Sequence, residues 1–346
     1  MFKIQSNITI LEYVWIGGKN EIRSKTKIFP SFLHFSLDNM PIWNYDGSST
    51  WQATSDGDTE VTLVPCALFH NPLRVVNDCA SYIVLCDTYN MTNVPLNTNN
   101  RFNAVQLFNK YKEKEPWFGL EQEFFIEFNE TIDKDMEKCV SIDYDGYHYC
   151  GTSRNRKERI IVEQHLEACL KAGIRIAGIN AEVSNKQWEF QVGPCEGITM
   201  GDELLVARFL LERIAEQHNA TINYHPKPYP DINGSGCHIN FSTVDTRNEN
   251  GIETISTYIY RLGQKHNKHV ESYGVDNHLR LTGLNETSSI DTFSWGVGTR
   301  NTSIRIPNQT MINQKGYFED RRPSSNIDPY LATHYLFHSC MEHEYS

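Results

Sequence analysis

The alternation of hydrophobic and polar residues in the first part of the chain predicts β-strands. Four segments run apolar or alternate with period two: residues 9–16, 21–28, 60–66 and 81–87. The glycine-containing stretch 17–20 predicts a turn between the first two of them. The polar stretch 90–100 is the best candidate for a linker, and a helix is expected to begin around Arg101.

The rest of the chain mixes helical and strand periods. Residues 157–172 carry a helical apolar stripe closed by Gly173, and residues 201–217 behave similarly. Residues 117–128 read as a strand in which Glu121 and Glu123 share one face, because strand side chains alternate between faces.

Two further strands predict polar faces of the same kind. The residues on these faces are Gln187, Glu189 and Gln191 in one strand and His238, Asn240 and Ser242 in the other. One half-polar strand more often faces solvent. Three half-polar strands, interleaved with glycine-rich turns, are more consistent with polar faces that point into one shared interior. They therefore predict a funnel-like site.

Composition and charge exclude several classes of function. A formal net charge of −11 argues against a nucleic-acid-binding protein, which needs a basic stripe. No apolar run approaches the roughly 18 residues of a membrane span, and residues 1–11 lack the layout of a signal peptide. Nine scattered cysteines without a C-x-x-C pair favour reduced thiols rather than disulfides or structural zinc. We therefore expect a cytoplasmic protein.

Five glutamates and one histidine lie in short motifs at separate places along the chain. They are Glu121, Glu123, Glu182, Glu189, His238 and Glu319. Any one of these glutamates is more often a solvated or salt-bridged side chain, and a lone histidine is more often structural. Together they are hard oxygen ligands plus one nitrogen, which suit Mg²⁺ or Mn²⁺ and predict a two-metal site.

Long motifs give the chain a resemblance to a known family. The clearest are EYVWI (residues 12–16), WNYDGSST (43–50), INAEVSNKQWEFQVGPCEGITM (179–200) and FEDRRPSSNIDPY (318–330). With these motifs the chain resembles the eukaryotic-type glutamine synthetases over nearly its whole length. The resemblance implies an ATP-dependent ligase that makes glutamine from glutamate and ammonium through a γ-glutamyl phosphate.

The same resemblance implies an α+β fold and an assembly. Residues 1–95 would form a β-grasp domain. Residues 96–346 would form a glutamine synthetase/guanido kinase-like catalytic domain, with a curved antiparallel sheet flanked by helices. The family assembles as a double-ringed homo-oligomer, here expected to be a decamer, with active sites shared between neighbouring subunits.

Site roles also follow from the resemblance, position by position. One metal would be held by Glu123, Glu182 and Glu189, and the other by Glu121, His238 and Glu319. Glutamate would be bound by Asn233, Gly234, Arg280, Arg300 and Arg321, and ATP by Trp117, Glu189, Asn240, Ser242, Arg305 and Tyr317. Arg300 and Arg305 would also contact the transferring phosphoryl group, and Glu286 would be the flap residue that excludes water.

The carboxylate that deprotonates ammonium would come from the adjacent subunit, where the matching position is Glu60. The chain departs from the family pattern in residues 51–59, which contain one apparent extra residue, so Asp58 competes for this role. The segment 129–148 is also shorter and more acidic than is typical of the family.

Two other functions compete with a glutamine synthetase. One is a γ-glutamyl-amine or polyamine ligase, which keeps the phosphoryl chemistry and changes the nucleophile. Glu286 and Glu60 favour ammonium, because a small cation needs anionic surroundings. The other is a catalytically silent relative, which would be expected to lack a metal ligand, whereas all six positions are filled.

Overall fold

The N-terminal part of the chain forms a five-stranded mixed sheet. The computed structural model describes residues 8–30, 35–53, 57–74, 79–129, 148–152 and 157–342. The strands of this sheet are β1 (Thr9–Ile16), β2 (Ile22–Phe29), β3 (Trp43–Asp46), β4 (Glu60–His70) and β5 (Ala80–Asn90). They lie in the order β2-β1-β5-β4-β3, and only β1 and β5 are parallel neighbours.

Two of the four predicted strands are longer than expected. The strands predicted at residues 60–66 and 81–87 extend to 60–70 and 80–90, and they pair from Val61 opposite Asn90 to His70 opposite Tyr82. A register shift between Pro65 and Ala67 keeps this pairing continuous. Pairing therefore extends these strands beyond the segments that alternation alone predicts.

A second, eight-stranded sheet contains all three of the predicted polar faces. Its strands are β6 (Trp117–Phe128), β7 (Ile176–Ala181), β8 (Gln187–Glu196), β9 (Ala220–Asn223), β10 (Cys237–Ser242), β11 (Trp295–Val297), β12 (Ile304–Ile306) and β13 (Phe318–Asp320). The order is β11-β12-β13-β10-β6-β8-β7, with β9 also pairing with β6. The bounds predicted for β6 are confirmed.

Helices cover the apolar face of this second sheet. The α-helices of the described residues are α1 (Asn100–Lys110), α2 (Lys157–Ala172), α3 (Thr199–Gln217), α4 (Val244–Arg247), α5 (Gly251–Gln264), α6 (His266–Ser272), α7 (Asn308–Asn313) and α8 (Pro329–Met341). The predicted helix at 157–172 is confirmed, and the helix predicted at 201–217 begins two residues earlier. The fold is thus of the α+β class.

The core of the second sheet explains which face is free for chemistry. Phe124, Trp188, Phe190 and Phe241 are buried in one continuous apolar cluster with residues of α2, α3 and α8. Because strand side chains alternate, their neighbours Glu123, Glu189 and Asn240 point to the opposite face. None of the helices in the described ranges is long and apolar enough to cross a membrane.

Candidate active site

Strand register brings the predicted acidic residues together. Glu121 on β6 lies opposite His238 on β10, and Glu123 lies opposite Glu189 on β8. Glu319 on β13 lies opposite Asn240 on β10. Directly opposed residues of antiparallel strands share a face and have adjacent side chains. The pairing of β13, β10, β6 and β8 therefore gathers these groups from distant parts of the sequence.

The first cluster consists of Glu121, His238 and Glu319. The His238 Nδ1 lies 3.5 Å from Glu121 Oε2 and 3.4 Å from Glu319 Oε1. One ligand atom from each of the three residues lies within 4.8 Å of the others, which suits a single cation. Burial, followed by the charges of Arg321 and Arg280, lowers the pKa of His238. The imidazole is therefore neutral, which is the charge state that metal-binding histidines have.

The second cluster consists of Glu123, Glu182 and Glu189, which line the same cavity of about 220 Å³. Burial is the main cause that raises the pKa of all three carboxyl groups. For Glu189 the pKa rises to about 9, with a further contribution from the charges of Glu121 and Glu123. Like charges buried this close together disfavour ionisation, and a bound divalent cation relieves that cost. Both clusters fit hard divalent cations.

Three arginines line the cavity on the side of β12 and β13. Arg305 Nη1 donates to Glu319 Oε2 at 3.0 Å, and Arg321 Nη1 donates to Glu319 Oε1 at 2.6 Å. Arg300 Nη1 lies 3.6 Å from the Glu286 carboxylate. Arg321 Nη2 also donates to the Glu286 backbone carbonyl at 3.3 Å. The arginines line the same cavity as the carboxylate clusters. An anion could therefore bind there between the guanidinium groups and cations held by the carboxylates.

Arg280 is placed differently from the other predicted arginines. It is not among the residues that line the cavity, and its side chain is buried. Its guanidinium donates to the backbone carbonyls of Arg321 and Arg322 and lies 2.8 Å from His238 Nε2. Burial lowers its pKa to about 10. In this structure Arg280 therefore holds the imidazole of His238 from behind, and its contact with glutamate stays a prediction.

The predicted glutamate loop approaches the cluster through its glycines. A Cβ atom on Gly234 would lie 2.5 Å from the Pro226 carbonyl oxygen, and one on Gly236 would lie 2.6 Å from Arg280 Nη2. The Gly236 backbone N–H donates to Glu123 Oε2 at 2.8 Å. A side chain at either position would collide with backbone or with the site, so close approach requires glycine. Asn233 precedes this turn.

A second cavity, of about 400 Å³, adjoins the acidic one. It contains the predicted nucleotide residues Trp117, Asn240, Ser242 and Tyr317, and it shares Glu121 and Gln191 with the acidic cavity. Its remaining lining is largely apolar, from residues such as Phe118, Leu120 and Val192. An apolar, aromatic cavity beside an acidic and cationic one suits a planar base whose phosphates extend toward cations.

Two residues of these cavities were missed by the sequence interpretation. Arg247 lies 4.0 Å over the ring of Trp117 and donates to Ser242 Oγ at 3.0 Å. Its only sequence signal was its position five residues after Ser242. Tyr149 lines the acidic cavity beside Arg300, in the described segment 148–152. Most of the atypical segment 129–148 lies outside the described residues.

The candidate ammonium-activating carboxylates lie elsewhere. Glu60 begins β4, is exposed, and accepts a hydrogen bond from Asn44 Nδ2 at 2.5 Å. Asp58 Oδ1 accepts from the Glu60 backbone N–H at 3.1 Å. Neither lines the two cavities described above. The role of either carboxylate at the site, and the choice between them, therefore stay predictions.

Comparison with known proteins identifies the family. The sequence profile described as "Glutamine synthetase, catalytic domain" matches residues 99–259. The chain is 49% identical over 345 residues to a glutamine synthetase homologue of Acanthamoeba polyphaga mimivirus, covering 98% of this chain and 96% of the relative. It is 45% identical over 344 residues to the glutamine synthetase of Schizosaccharomyces pombe, covering 98% and 94%.

A plant relative is similar to nearly the same extent. The chain is 46% identical over 335 residues to the glutamine synthetase cytosolic isozyme 1-3 of Arabidopsis thaliana, covering 94% of this chain and 92% of the relative. Similarity of this extent covers both sheets and all the motifs from which the site was predicted. The chain belongs to the glutamine synthetase family.

Proposed function

We propose that this protein is an ATP-dependent ligase that forms L-glutamine from L-glutamate and ammonium through a γ-glutamyl phosphate. The observation that carries the proposal is the pair of adjoining cavities, one aromatic and one lined by clustered carboxylates and arginines, in a member of this family. A hydrolase acting on phosphates would need the carboxylates but not a glutamate loop or a flap.

The first proposed step is attack of the substrate γ-carboxylate on the γ-phosphorus of ATP. Both reactants are anionic, so they approach only where positive charge is fixed in advance. Mg²⁺ or Mn²⁺ held by the two carboxylate clusters would supply part of that charge. Arg305, together with Arg300, supplies the rest, because a planar guanidinium matches phosphoryl and carboxylate oxygens.

Binding of the two substrates is assigned to opposite sides of the clusters. The base and ribose of ATP occupy the cavity of Trp117, Asn240, Ser242 and Tyr317, so that the phosphates reach Glu121 at the shared wall. Glutamate lies toward Asn233, Gly234, Arg280, Arg300 and Arg321. Its γ-carboxylate then faces the phosphates across the metal-binding carboxylates.

The second proposed step is displacement of phosphate by ammonia. Glu286 closes the site over the acyl phosphate, because water would otherwise hydrolyse it. Ammonium loses a proton to Glu60, or to Asp58, of an adjacent subunit. A site shared in this way requires an oligomer, here a double-ringed homo-oligomer. We also propose that residues 1–95 and 96–346 form separate domains and that the protein is cytoplasmic.

The test combines product identification with one ligand variant. With ATP, Mg²⁺ and glutamate, ADP release should depend on ammonium and should equal the glutamine formed. His238→Ala should lose this activity by at least about a thousandfold, because a metal position is incomplete, while thermal unfolding stays close to the wild type. ADP formed only with a larger amine would instead indicate a γ-glutamyl-amine ligase. No ADP with any amine would refute the ligase.

A further inference from the structure

The Gln187 side chain connects two parts of the site that have separate proposed roles. It lies at the start of β8 and is 1% exposed. Its Nε2 atom is 3.3 Å from Glu123 Oε2, 3.0 Å from the Gly234 carbonyl oxygen and 3.1 Å from Ser235 Oγ. One amide nitrogen therefore touches a metal-binding carboxylate and the loop assigned to glutamate.

The partners of Gln187 determine the orientation of its amide. A carboxylate oxygen and a backbone carbonyl oxygen only accept hydrogen bonds, so the NH₂ group must face Glu123 and Gly234. Its Oε1 atom is buried and has no hydrogen-bond partner. A buried carbonyl without a donor destabilises the fold. The side chain therefore forgoes one hydrogen bond while it donates to the carboxylate and the loop.

The same carboxylate is tied to the loop a second time. Glu123 Oε2 accepts from the Gly236 N–H at 2.8 Å, and the Glu123 N–H donates to the Gly236 carbonyl at 3.0 Å. These two bonds attach Gly236, at one end of the loop, to Glu123. The Gln187 amide contacts Gly234 and Ser235, nearer the other end of the loop. The loop is thus held against Glu123 from both ends.

The Nε2 atom of Gln187 has two hydrogens for three acceptors. The Glu123 Oε2 atom would become a weaker acceptor if a cation were bound to that carboxylate. The Gln187 Nε2 hydrogens would then bond more strongly to Gly234 and Ser235. We propose that Gln187 is a positioning residue that couples cation binding at Glu123 to glutamate binding at the 233–236 loop. This inference rests on the proposed function. Coupling of this kind is reciprocal: each ligand strengthens the other equally.

The experiment measures the glutamate Kd of the full chain by titration calorimetry, with saturating Mn²⁺ and in EDTA, without ATP. In the wild type we expect Mn²⁺ to lower this Kd by about tenfold, within the usual range for coupled sites. In Gln187→Met, which keeps the shape but has no donor, the factor should fall to about twofold or less. Binding rather than turnover is the readout.

A matched control separates coupling from stability. Thr333 is a buried residue of α8 whose hydroxyl bonds within its own helix, so Thr333→Val should keep the wild-type factor even if it lowers stability. Should Gln187→Met fail to fold, Gln187→Leu is smaller, adds no charge and also lacks the donor, and it should show the same loss.

The outcomes distinguish the inference from the function on which it rests. A wild-type chain that binds glutamate with a clear Mn²⁺ factor, together with an unchanged factor in Gln187→Met, would overturn the role of Gln187 alone. A wild-type chain that binds glutamate equally well in Mn²⁺ and in EDTA would overturn the coupling. A wild-type chain that neither binds glutamate nor forms ADP with ATP, Mg²⁺, glutamate and ammonium would refute the proposed function and, with it, this inference.

Discussion

Two buried carboxylates of the same sheet, Asp320 and Glu189, have opposite surroundings. Asp320 is fully buried and accepts from Arg322 Nε at 2.9 Å, from Arg322 Nη2 at 2.7 Å and from Tyr273 Oη at 3.0 Å. Glu189 is 6% exposed and faces the carboxylates of Glu121, Glu123 and Glu182. One charge is neutralised within the chain, and the other is surrounded by charges of its own sign.

The difference is the one expected between a structural charge and a carboxylate that, under the proposed function, binds a cation. A buried ion pair with all its hydrogen bonds formed needs nothing from outside. A buried carboxylate among carboxylates raises the free energy of the folded state until a cation binds or a proton is taken up. Stability given up at one place and regained on ligand binding is the usual sign of a functional site. The comparison can be tested from either side.

The largest change in the free energy of unfolding is expected at the buried ion pair of Asp320 and Arg322. Asp320→Asn leaves the Arg322 guanidinium buried without its carboxylate, and we expect a loss of about 3–5 kcal/mol in the free energy of unfolding. Urea unfolding followed by circular dichroism measures it. Asp245→Asn is the matched control, because Asp245 is 40% exposed and pairs with Lys114 at 2.9 Å. That surface variant should lose less than about 1 kcal/mol, and a similar loss in both would contradict the comparison.

A smaller, pH-dependent effect is expected at the acidic cluster. The raised pKa of Glu189, about 9, and of Glu123 means that the metal-free folded state holds protons that the unfolded chain releases above its ordinary carboxyl pKa, about 4.5. Folded stability without metal should therefore fall as pH rises from about 5 to 9. Mg²⁺ competes with those protons, so it should stabilise the fold more at pH 8 than at pH 6.

The size of that difference can be measured by thermal unfolding. At a concentration of Mg²⁺ about 100 times its Kd the stabilisation is about 2.7 kcal/mol, which corresponds to roughly 4 °C in Tm for a chain of this size. We expect this shift at pH 8 and less than half of it at pH 6. Glu189→Gln should reduce the pH dependence. Equal shifts at both pH values in the wild type would argue against proton release on cation binding.

The smallest effect is expected in the aromatic cavity, where an arginine is paired with a ring and a hydroxyl. Arg247→Ala removes the contact with Trp117 and the bond to Ser242, and we expect the KM for ATP to rise about fivefold, equivalent to about 1 kcal/mol. The KM for glutamate should stay unchanged in steady-state assays. Lys110→Ala removes a comparable contact with Tyr111 outside both cavities and should leave both KM values unchanged. Equal changes in both KM values would show that Arg247 does not act on the nucleotide alone.

Much of the fold and most of the cavity lining could be predicted from the sequence. The alternation in residues 117–128 gave the bounds of β6 and the shared face of Glu121 and Glu123. The helical stripe at residues 157–172 gave α2. These predictions succeed because one buried face imposes its period on the residues of a single element. The strands β3, β9, β11, β12 and β13 were not predicted, because three or four residues are too short for a clear period. β7 was missed because its six residues do not alternate between apolar and polar.

Contacts between elements could not be read from the pattern. Arg280 contacts His238 although the two residues are 42 positions apart in the chain. Arg247 lies over the ring of Trp117 because the chain turns between β10 and α4. The bonds of Gln187 to Gly234 and Ser235 join segments 47 and 48 residues apart. Periodicity reports which side of an element a residue occupies, and it does not report which element lies opposite.

The strand register of the second sheet has a consequence for how this chain can vary in length. Insertion of one residue inside β6, β8 or β10 would turn every following side chain of that strand to the other face, and it would exchange carboxylates for core aromatics. An insertion between strands leaves these pairings intact. Length changes are therefore expected to accumulate in connections, as in the atypical segment 129–148, while the interiors of the three strands keep a fixed number of residues.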